Sequence, residues 1–143
     1  GTCDILDSNP ALLEPLLARP EFAQTHVVCL GGGYPYTRET ALLARRENCW
    51  FDLSHLGGLL PPPVLSNYLR EWLHVAGPEK ILFGTGGCGL AVMTGTWCVR
   101  RALCIALGQM MDEGLYTEQT ALEAARAILF DNAAKLYGNS AKE

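Results

Sequence analysis

The chain has 143 residues, enough for one domain with a hydrophobic core, and a formal net charge of −4. The proportions of hydrophobic (49%) and charged (18%) residues are ordinary for a globular domain. The 11 Lys and Arg residues are scattered, which argues against a nucleic-acid binder, because phosphate recognition needs clustered basic residues. No uninterrupted apolar run approaches the roughly 20 residues of a membrane span, so we also predict no membrane partner.

The N-terminus lacks a basic region followed by an apolar stretch, so we predict no signal peptide. Its abrupt start at Gly1 suggests a partial chain. The cysteines form no CxxC pair, which argues against a zinc site of the usual spacing. We therefore expect a cytoplasmic protein with buried free thiols, at Cys3, Cys29, Cys49, Cys88, Cys98 and Cys104.

The first part of the chain alternates predicted helices and strands. A continuous β-branched and apolar run (THVVCL) is typical of a strand buried on both faces, and Thr37 is a candidate helix cap. In chain order, the elements are a helix over 11–18, a strand over 25–30, a helix over 38–46, a strand over 49–53 and a loop over 54–58.

The second part contains longer helical patterns. Gly77-Pro78 stops one helix, and Thr117 is a candidate cap for the last one. Trp72 and Trp97 lie at helical spacing, which predicts packing roles for both. The elements are a helix over 64–75, a strand over 81–83, a helix over 93–113 and a helix over 118–137.

This alternation predicts an α/β fold with parallel strands joined by right-handed crossovers. Ligands of such folds bind at the carboxyl ends of the strands. Three strands make a small sheet, and apolar parallel strands do not tolerate open edges. The pattern therefore predicts part of a larger barrel, completed by self-association or by a missing segment.

A glycine-rich turn follows the third predicted strand. Gly84 to Gly89 fits G-x-G-x-x-G between a strand and a helix, which is the context of a nucleotide or phosphate cradle. The acidic residue expected about 20 positions later, after another strand, is missing. Asp112 and Glu113 lie instead at the end of a helical segment. Nucleotide binding stays open as one hypothesis.

Several segments, in order, carry a family resemblance. They are Asp7-Ser8-Asn9-Pro10 with Leu13-Glu14-Pro15-Leu16-Leu17, then Tyr34-Pro35-Tyr36-Thr37-Arg38-Glu39, Asn48-Cys49-Trp50-Phe51-Asp52-Leu53-Ser54, Lys80-Ile81-Leu82-Phe83-Gly84-Thr85 and Asn132-Ala133-Ala134-Lys135-Leu136-Tyr137. With them the chain resembles the C-terminal part of the amidohydrolase-related (amidohydrolase 2) family. It is most similar to the branch sometimes fused to glutamine-synthetase-like domains.

The resemblance implies a partial (β/α)8 TIM-type barrel, with residues 1–143 as a single incomplete segment that supplies strands six to eight. The family holds divalent metal at the strand ends. Its strand-six His matches Gly31 or Leu30 here, and its strand-eight Asp, a metal ligand and base, matches Gly86. The implied function is a degenerate or truncated module that lacks metal ligands, with no cofactor in this chain. The alternative is an active zinc or manganese hydrolase, completed by an upstream N-terminal barrel half or a partner chain.

Two residues near the second strand are catalytic candidates. His55, just past the strand, could bind a metal or transfer a proton, or could be a solvated loop residue. Asp52 could join it, or could accept structural hydrogen bonds. His26 and His74 lie in a strand start and a helix, and neither has a catalytic setting.

Four further residues are candidates for substrate binding: Tyr34, Arg38, Thr85 and Cys88. Arg38 could hold a substrate carboxylate, or could pair with Glu39 or Glu47 on a solvated surface. Cys88 could be a nucleophile if the start of the following helix lowered its pKa, or could be a passive thiol.

Overall fold

A computed structural model describes residues 4–138, a range that leaves out Cys3. Three parallel strands form a sheet in the order β1 (Val27–Cys29), β2 (Cys49–Asp52) and β3 (Ile81–Leu82). Val27 pairs with Cys49, and Phe51 pairs with Ile81. The chain is therefore α/β, as predicted, and mostly helical. This is consistent with a partial TIM-type fold, although the described strands close no barrel.

The strands are shorter than the apolar runs that predict them. β1 pairs only from Val27, and a short turn with left-handed glycines, Leu30–Gly33, replaces its expected last residue. The prediction that β1 is buried on both faces is wrong, because Val27 and Val28 are only half-buried at the edge of the sheet. β3, by contrast, is covered on both faces, since Ile81 and Leu82 are both buried.

Seven α-helices surround the sheet within the described range. They are α1 (Glu14–Leu17), α2 (Thr37–Leu43), α3 (Leu56–Leu59), α4 (Pro62–Val75), α5 (Leu90–Asp112), α6 (Glu118–Arg126) and α7 (Asn132–Gly138).

Four helix predictions need correction. The expected helix over 11–18 divides into a 3-10 turn, Pro10–Leu13, and α1, because Pro15 lies within it. Thr37 does not cap α2 but is its first residue. The expected loop over 54–58 contains the start of α3, and α5 begins three residues before position 93.

The end of the chain forms one helical run with a π-helical turn, Ala127–Asp131, between α6 and α7. The cap prediction for Thr117 is confirmed. The Thr117 hydroxyl accepts a hydrogen bond from the Thr120 amide, and the Thr120 hydroxyl accepts one from the Thr117 amide. This reciprocal pair satisfies two amides at the helix start.

A row of aromatic rings joins the sheet to α4. The Trp72 ring meets Phe51 edge-on at 5.0 Å between centroids and stacks on Tyr68 at 5.9 Å. The Trp72 indole donates a hydrogen bond to the Thr37 carbonyl (3.1 Å), which satisfies its buried N–H. The packing role predicted for Trp72 is confirmed. The same prediction for Trp97 is wrong, since 65% of that residue is exposed.

Two side chains tie together the amino ends of the strands. The Lys80 ammonium donates to the carbonyls of Arg46, Glu47 and Cys49 and lies 4.4 Å from the centre of the Trp50 ring. Partial burial lowers the pKa of Lys80. The Asn132 amide donates to the carbonyls of Pro78 and Ile81, both at 2.8 Å. This end of the sheet is thus fixed by hydrogen bonds.

α5 has the length and composition of a membrane-crossing helix. The core helix of a soluble protein can have the same length and composition. One side of α5 packs in the core through residues such as Val99, Ala102 and Ala106. Its opposite side is exposed, and Arg100 and Arg101 lie in the middle of it.

Candidate strand-end site

The carboxyl ends of the three strands bring three loops together. Residues 30–36 follow β1, residues 53–55 follow β2, and residues 83–89 lead from β3 into α5. Because the strands are parallel, these loops lie at one edge of the sheet, where ligands of such folds bind.

Asp52 holds two of these loops in place. Its Oδ1 atom accepts hydrogen bonds from the amides of Gly31 (2.8 Å) and Ser54 (3.0 Å), and its Oδ2 atom accepts one from the Ser54 hydroxyl (2.6 Å). Gly84 closes over this carboxylate, since a Cβ there would lie 3.0 Å from Oδ2 and 2.5 Å from the Ser54 hydroxyl. Both oxygens of Asp52 therefore serve structural hydrogen bonds.

His55 occupies an unusual position beside the glycine-rich turn. Its backbone is left-handed, with φ of 66°, which is costly for a residue with a side chain. Its amide donates to the Thr85 carbonyl at 2.9 Å, which joins the loop after β2 to the loop after β3. The imidazole is exposed and makes no hydrogen bond to any residue in the described range.

The His55 ring lies directly against Gly86. A Cβ built on Gly86 would stand 2.6 Å from Cε1 and 2.7 Å from both ring nitrogens. Gly86 also has a left-handed backbone, with φ of 64°. A carboxylate at position 86 would therefore need His55 to move and the backbone to accept a disfavoured conformation.

The other position matched to a metal ligand also lacks a donor side chain. Gly31 has φ of 63°, and its amide is bonded to Asp52, while Leu30 is an exposed apolar residue. No cluster of three or more His, Cys, Asp or Glu side chains that could hold a metal occurs in residues 4–138. Among the described residues at the strand ends, the Asp52 carboxylate is already bonded to Gly31 and Ser54.

Tyr34 and Arg38 make contacts with α4. The Tyr34 ring meets Tyr68 edge-on at 6.4 Å between centroids. The Arg38 guanidinium pairs with Glu71 at 2.7 Å, so the expected pairing with Glu39 or Glu47 is wrong. The partner lies 33 residues away, which local sequence spacing could not indicate.

Thr85 and Cys88 both lie in the turn that precedes α5. The half-buried Thr85 accepts the His55 amide through its carbonyl. The Cys88 thiol is exposed, as is that of Cys104, so the expectation of buried thiols is wrong for these two. It is confirmed for Cys29, Cys49 and Cys98.

Two features of this region were not predicted from the sequence. Ser54 bonds to Asp52 two residues earlier, a local pairing for which an Asp-x-Ser pattern is the available signal. Cys29 and Cys49 also meet across β1 and β2. Their interaction lowers the pKa of Cys29 and, together with burial, raises the pKa of Cys49, whose thiol donates to the Trp50 carbonyl.

The glycine-rich turn lies between a strand and a helix, as the phosphate-cradle hypothesis requires. The His55 ring lies against its second glycine, Gly86. Asp112 ends α5, and Glu113 follows it. No strand lies between β3 and these residues in the described chain.

Comparison with known proteins gives a consistent picture. A family model described as Amidohydrolase matches residues 2–139. The chain is also similar to Protein fluG of Emericella nidulans, with 32% identity over 139 residues. That alignment covers 94% of this chain and 16% of the relative, so the chain spans a small part of the relative's length. No solved structure matches significantly.

Proposed function

The chain belongs to the amidohydrolase family, and from this premise we propose that it is a degenerate or truncated module that does not hydrolyse substrate by itself. The observation that carries the proposal is the His55 ring against Gly86, where the family resemblance places a metal-binding Asp. Metal-dependent hydrolysis needs a metal to lower the pKa of water and a base to accept its proton. Gly86 can supply neither function.

The remaining polar groups at the strand ends do not replace this carboxylate. Asp52 uses both oxygens to fix the loops after β1 and β2. His55 offers one imidazole, and a lone imidazole does not make the three-ligand set of a catalytic zinc site. We therefore assign the strand ends a structural role, with the exposed Tyr34, Arg38 and Cys88 and the half-buried Thr85 around them.

Metal analysis of the purified full chain tests this proposal. After dialysis against zinc or manganese and removal of free metal, we expect less than stoichiometric metal and no hydrolysis that a chelator abolishes. A full equivalent of metal, with hydrolysis lost on chelation, would overturn the proposal. His55→Gln is the matched variant, because metal retained by that variant is bound elsewhere, for example at cysteine thiols.

A second candidate is a segment of an active hydrolase, with zinc or manganese ligands supplied by an N-terminal barrel half or a partner chain. The open sheet favours it, since β1 and β3 each pair on one side only within the described chain. Such edges invite further strands, including those of a second copy. This candidate predicts that metal binding and hydrolysis appear together, and only in an assembled species.

We also propose a cytoplasmic location, without nucleic acid or membrane as partner. The free thiols of the described cysteines support this location. Phosphate or nucleotide binding by Gly84 to Gly89 has less support, because the His55 ring lies against the turn. A rise in melting temperature with millimolar nucleotide, abolished by Gly86→Ala, would support that activity instead.

A further inference from the structure

We propose that the exposed side of α5 and α6 binds a second copy of this chain, as a symmetric dimer. We call this surface the α5/α6 face and define it by six residues: Met93, Trp97, Arg100, Met111, Glu118 and Leu122. None of these six residues belongs to the strand-end loops or to the strands of the sheet. The proposal does not depend on whether the strand-end site is active.

The α5/α6 face is apolar and concave. Met93 (69%), Trp97 (65%) and Leu122 (62%) expose most of their side chains. A groove of about 360 Å³ runs between the two helices, and the small residues Gly108 and Ala121 lie along it. Protruding apolar side chains beside a groove can fill the same groove in a second molecule. A contiguous exposed apolar patch of this kind marks an interaction surface.

The charges on the face are complementary to each other. Arg100 and Glu118 both line the groove. Neither makes an ion pair with any residue in the described part of the chain. Arg100 and Glu118 have opposite charges, and neither has an ion-pair partner among residues 4–138, so the two groups suit a two-fold contact. In such a contact each group meets its opposite in the other copy.

The fold gives the two groups suitable positions. A five-residue connection, 113–117, joins α5 to α6 and returns the chain along the same groove. Short connections of this type join antiparallel helices. Arg100 is 12 residues before the end of α5, whereas Glu118 is the first residue of α6. Arg100 and Glu118 thus lie at different heights along the groove. A two-fold axis that passes near Cys104 and Leu122, between these heights, places Arg100 of one copy beside Glu118 of the other copy.

This charge pattern favours a protein partner over a lipid surface. An anionic membrane attracts basic groups and repels acidic ones. The α5/α6 face has Glu118 beside its apolar residues. Its groove can be filled by the side chains of a protein, whereas a membrane offers only a flat surface. A second copy can fill the groove, cover the apolar residues and pair with both charged groups at once.

Sedimentation equilibrium of the full chain tests the proposal by charge reversal. We expect the unmodified chain to dimerise at micromolar concentration. Arg100→Glu or Glu118→Arg alone should weaken the dimer about tenfold, because each makes two like-charge contacts per dimer. An equimolar mixture of the two variants should dimerise again, since both contacts then join opposite charges.

Apolar variants provide a matched comparison. Leu122→Gln should weaken the dimer, whereas Leu42→Gln, at a similarly exposed position on α2, should not. Circular dichroism confirms that each variant is folded. Four results would overturn the proposal: a monomeric unmodified chain, a dimer that both charge reversals leave unchanged, a mixture that stays monomeric, or a monomer that binds phosphatidylserine vesicles.

Discussion

Asp52, His55 and Gly86 meet at the strand ends, and each constrains the next. Asp52 fixes the loop after β1 through the Gly31 amide, and Ser54 beside it leads into the left-handed His55. The His55 amide then holds the loop after β3 through Thr85. The imidazole comes to rest on Gly86 as a result of these backbone contacts.

Gly86→Ala should destabilise the fold by about 2–3 kcal/mol, because a left-handed Ala costs roughly 1–2 kcal/mol and the methyl group meets the His55 ring. Gly114→Ala is the control, since Gly114 also has positive φ but no atom within 4 Å of a built Cβ. Urea unfolding measures both. Gly86→Ala should destabilise the fold more than Gly114→Ala does, and this difference should vanish when His55 is replaced by Gly. A difference that stays the same would mean that the His55 ring is not its cause.

Asp52→Asn should lower the free energy of unfolding by about 1–3 kcal/mol, because an amide cannot accept all three hydrogen bonds that the carboxylate accepts. Chemical denaturation of the variant measures this loss. Asp7→Asn, at an exposed position, should change stability little. Equal stability of the Asp52 variant and the unmodified chain would show that these bonds contribute nothing net.

At the scale of elements, α3 and α5 approach through two glycines. A Cβ on Gly57 would stand 2.5 Å from the Gly95 carbonyl oxygen and 2.9 Å from its Cα. These are backbone atoms, which cannot rotate away. The sequence places Gly57 and Gly58 side by side in a supposed loop, and nothing in it distinguishes the contact glycine from its neighbour.

Gly57→Ala should therefore destabilise the fold by about 1–3 kcal/mol, since the helices must separate. Gly58→Ala should be neutral or stabilising by up to about 1 kcal/mol, because its Cβ meets no atom and alanine favours a helix. Thermal and urea unfolding compare the pair. Equal effects of the two substitutions would contradict the close approach.

The elements themselves could be predicted where hydrophobic periodicity and capping residues agree. α4 and the start of α6 are examples, with Gly77-Pro78 and Thr117 as their signals. Strand ends could not, because Thr25 and Leu30 have strand-forming side chains but no pairing partner. At the site, the order of the loops followed from the parallel topology. The contact of His55 with Gly86 depends on a left-handed backbone, which no local pattern indicated.

At the scale of the molecule, the three tryptophans report on different surroundings. Trp72 is buried and Trp50 is half-buried, but Trp97 is 65% exposed on the α5/α6 face. Acrylamide should thus quench mainly Trp97 in dilute solution. Raising the protein from nanomolar to micromolar concentration should protect it and shift its emission to the blue, because dimerisation removes the indole from water.

Trp97→Phe should remove this concentration dependence while leaving the emission of Trp50 and Trp72 unchanged. Quenching of Trp97 that stays constant across the same concentrations would place the contact between copies elsewhere, for example at the open edge of β1 or β3.

The packing of His55 on Gly86 also limits how this sequence can change over evolutionary time. A substitution that adds a carboxylate at position 86 meets the imidazole, so its effect depends on which residue is at position 55. The two positions are therefore coupled, because residue 55 must become small or turn its ring away before residue 86 can become large. In a directed-evolution library, substitutions at position 86 should therefore be retained more often when position 55 varies with it than when position 86 varies alone.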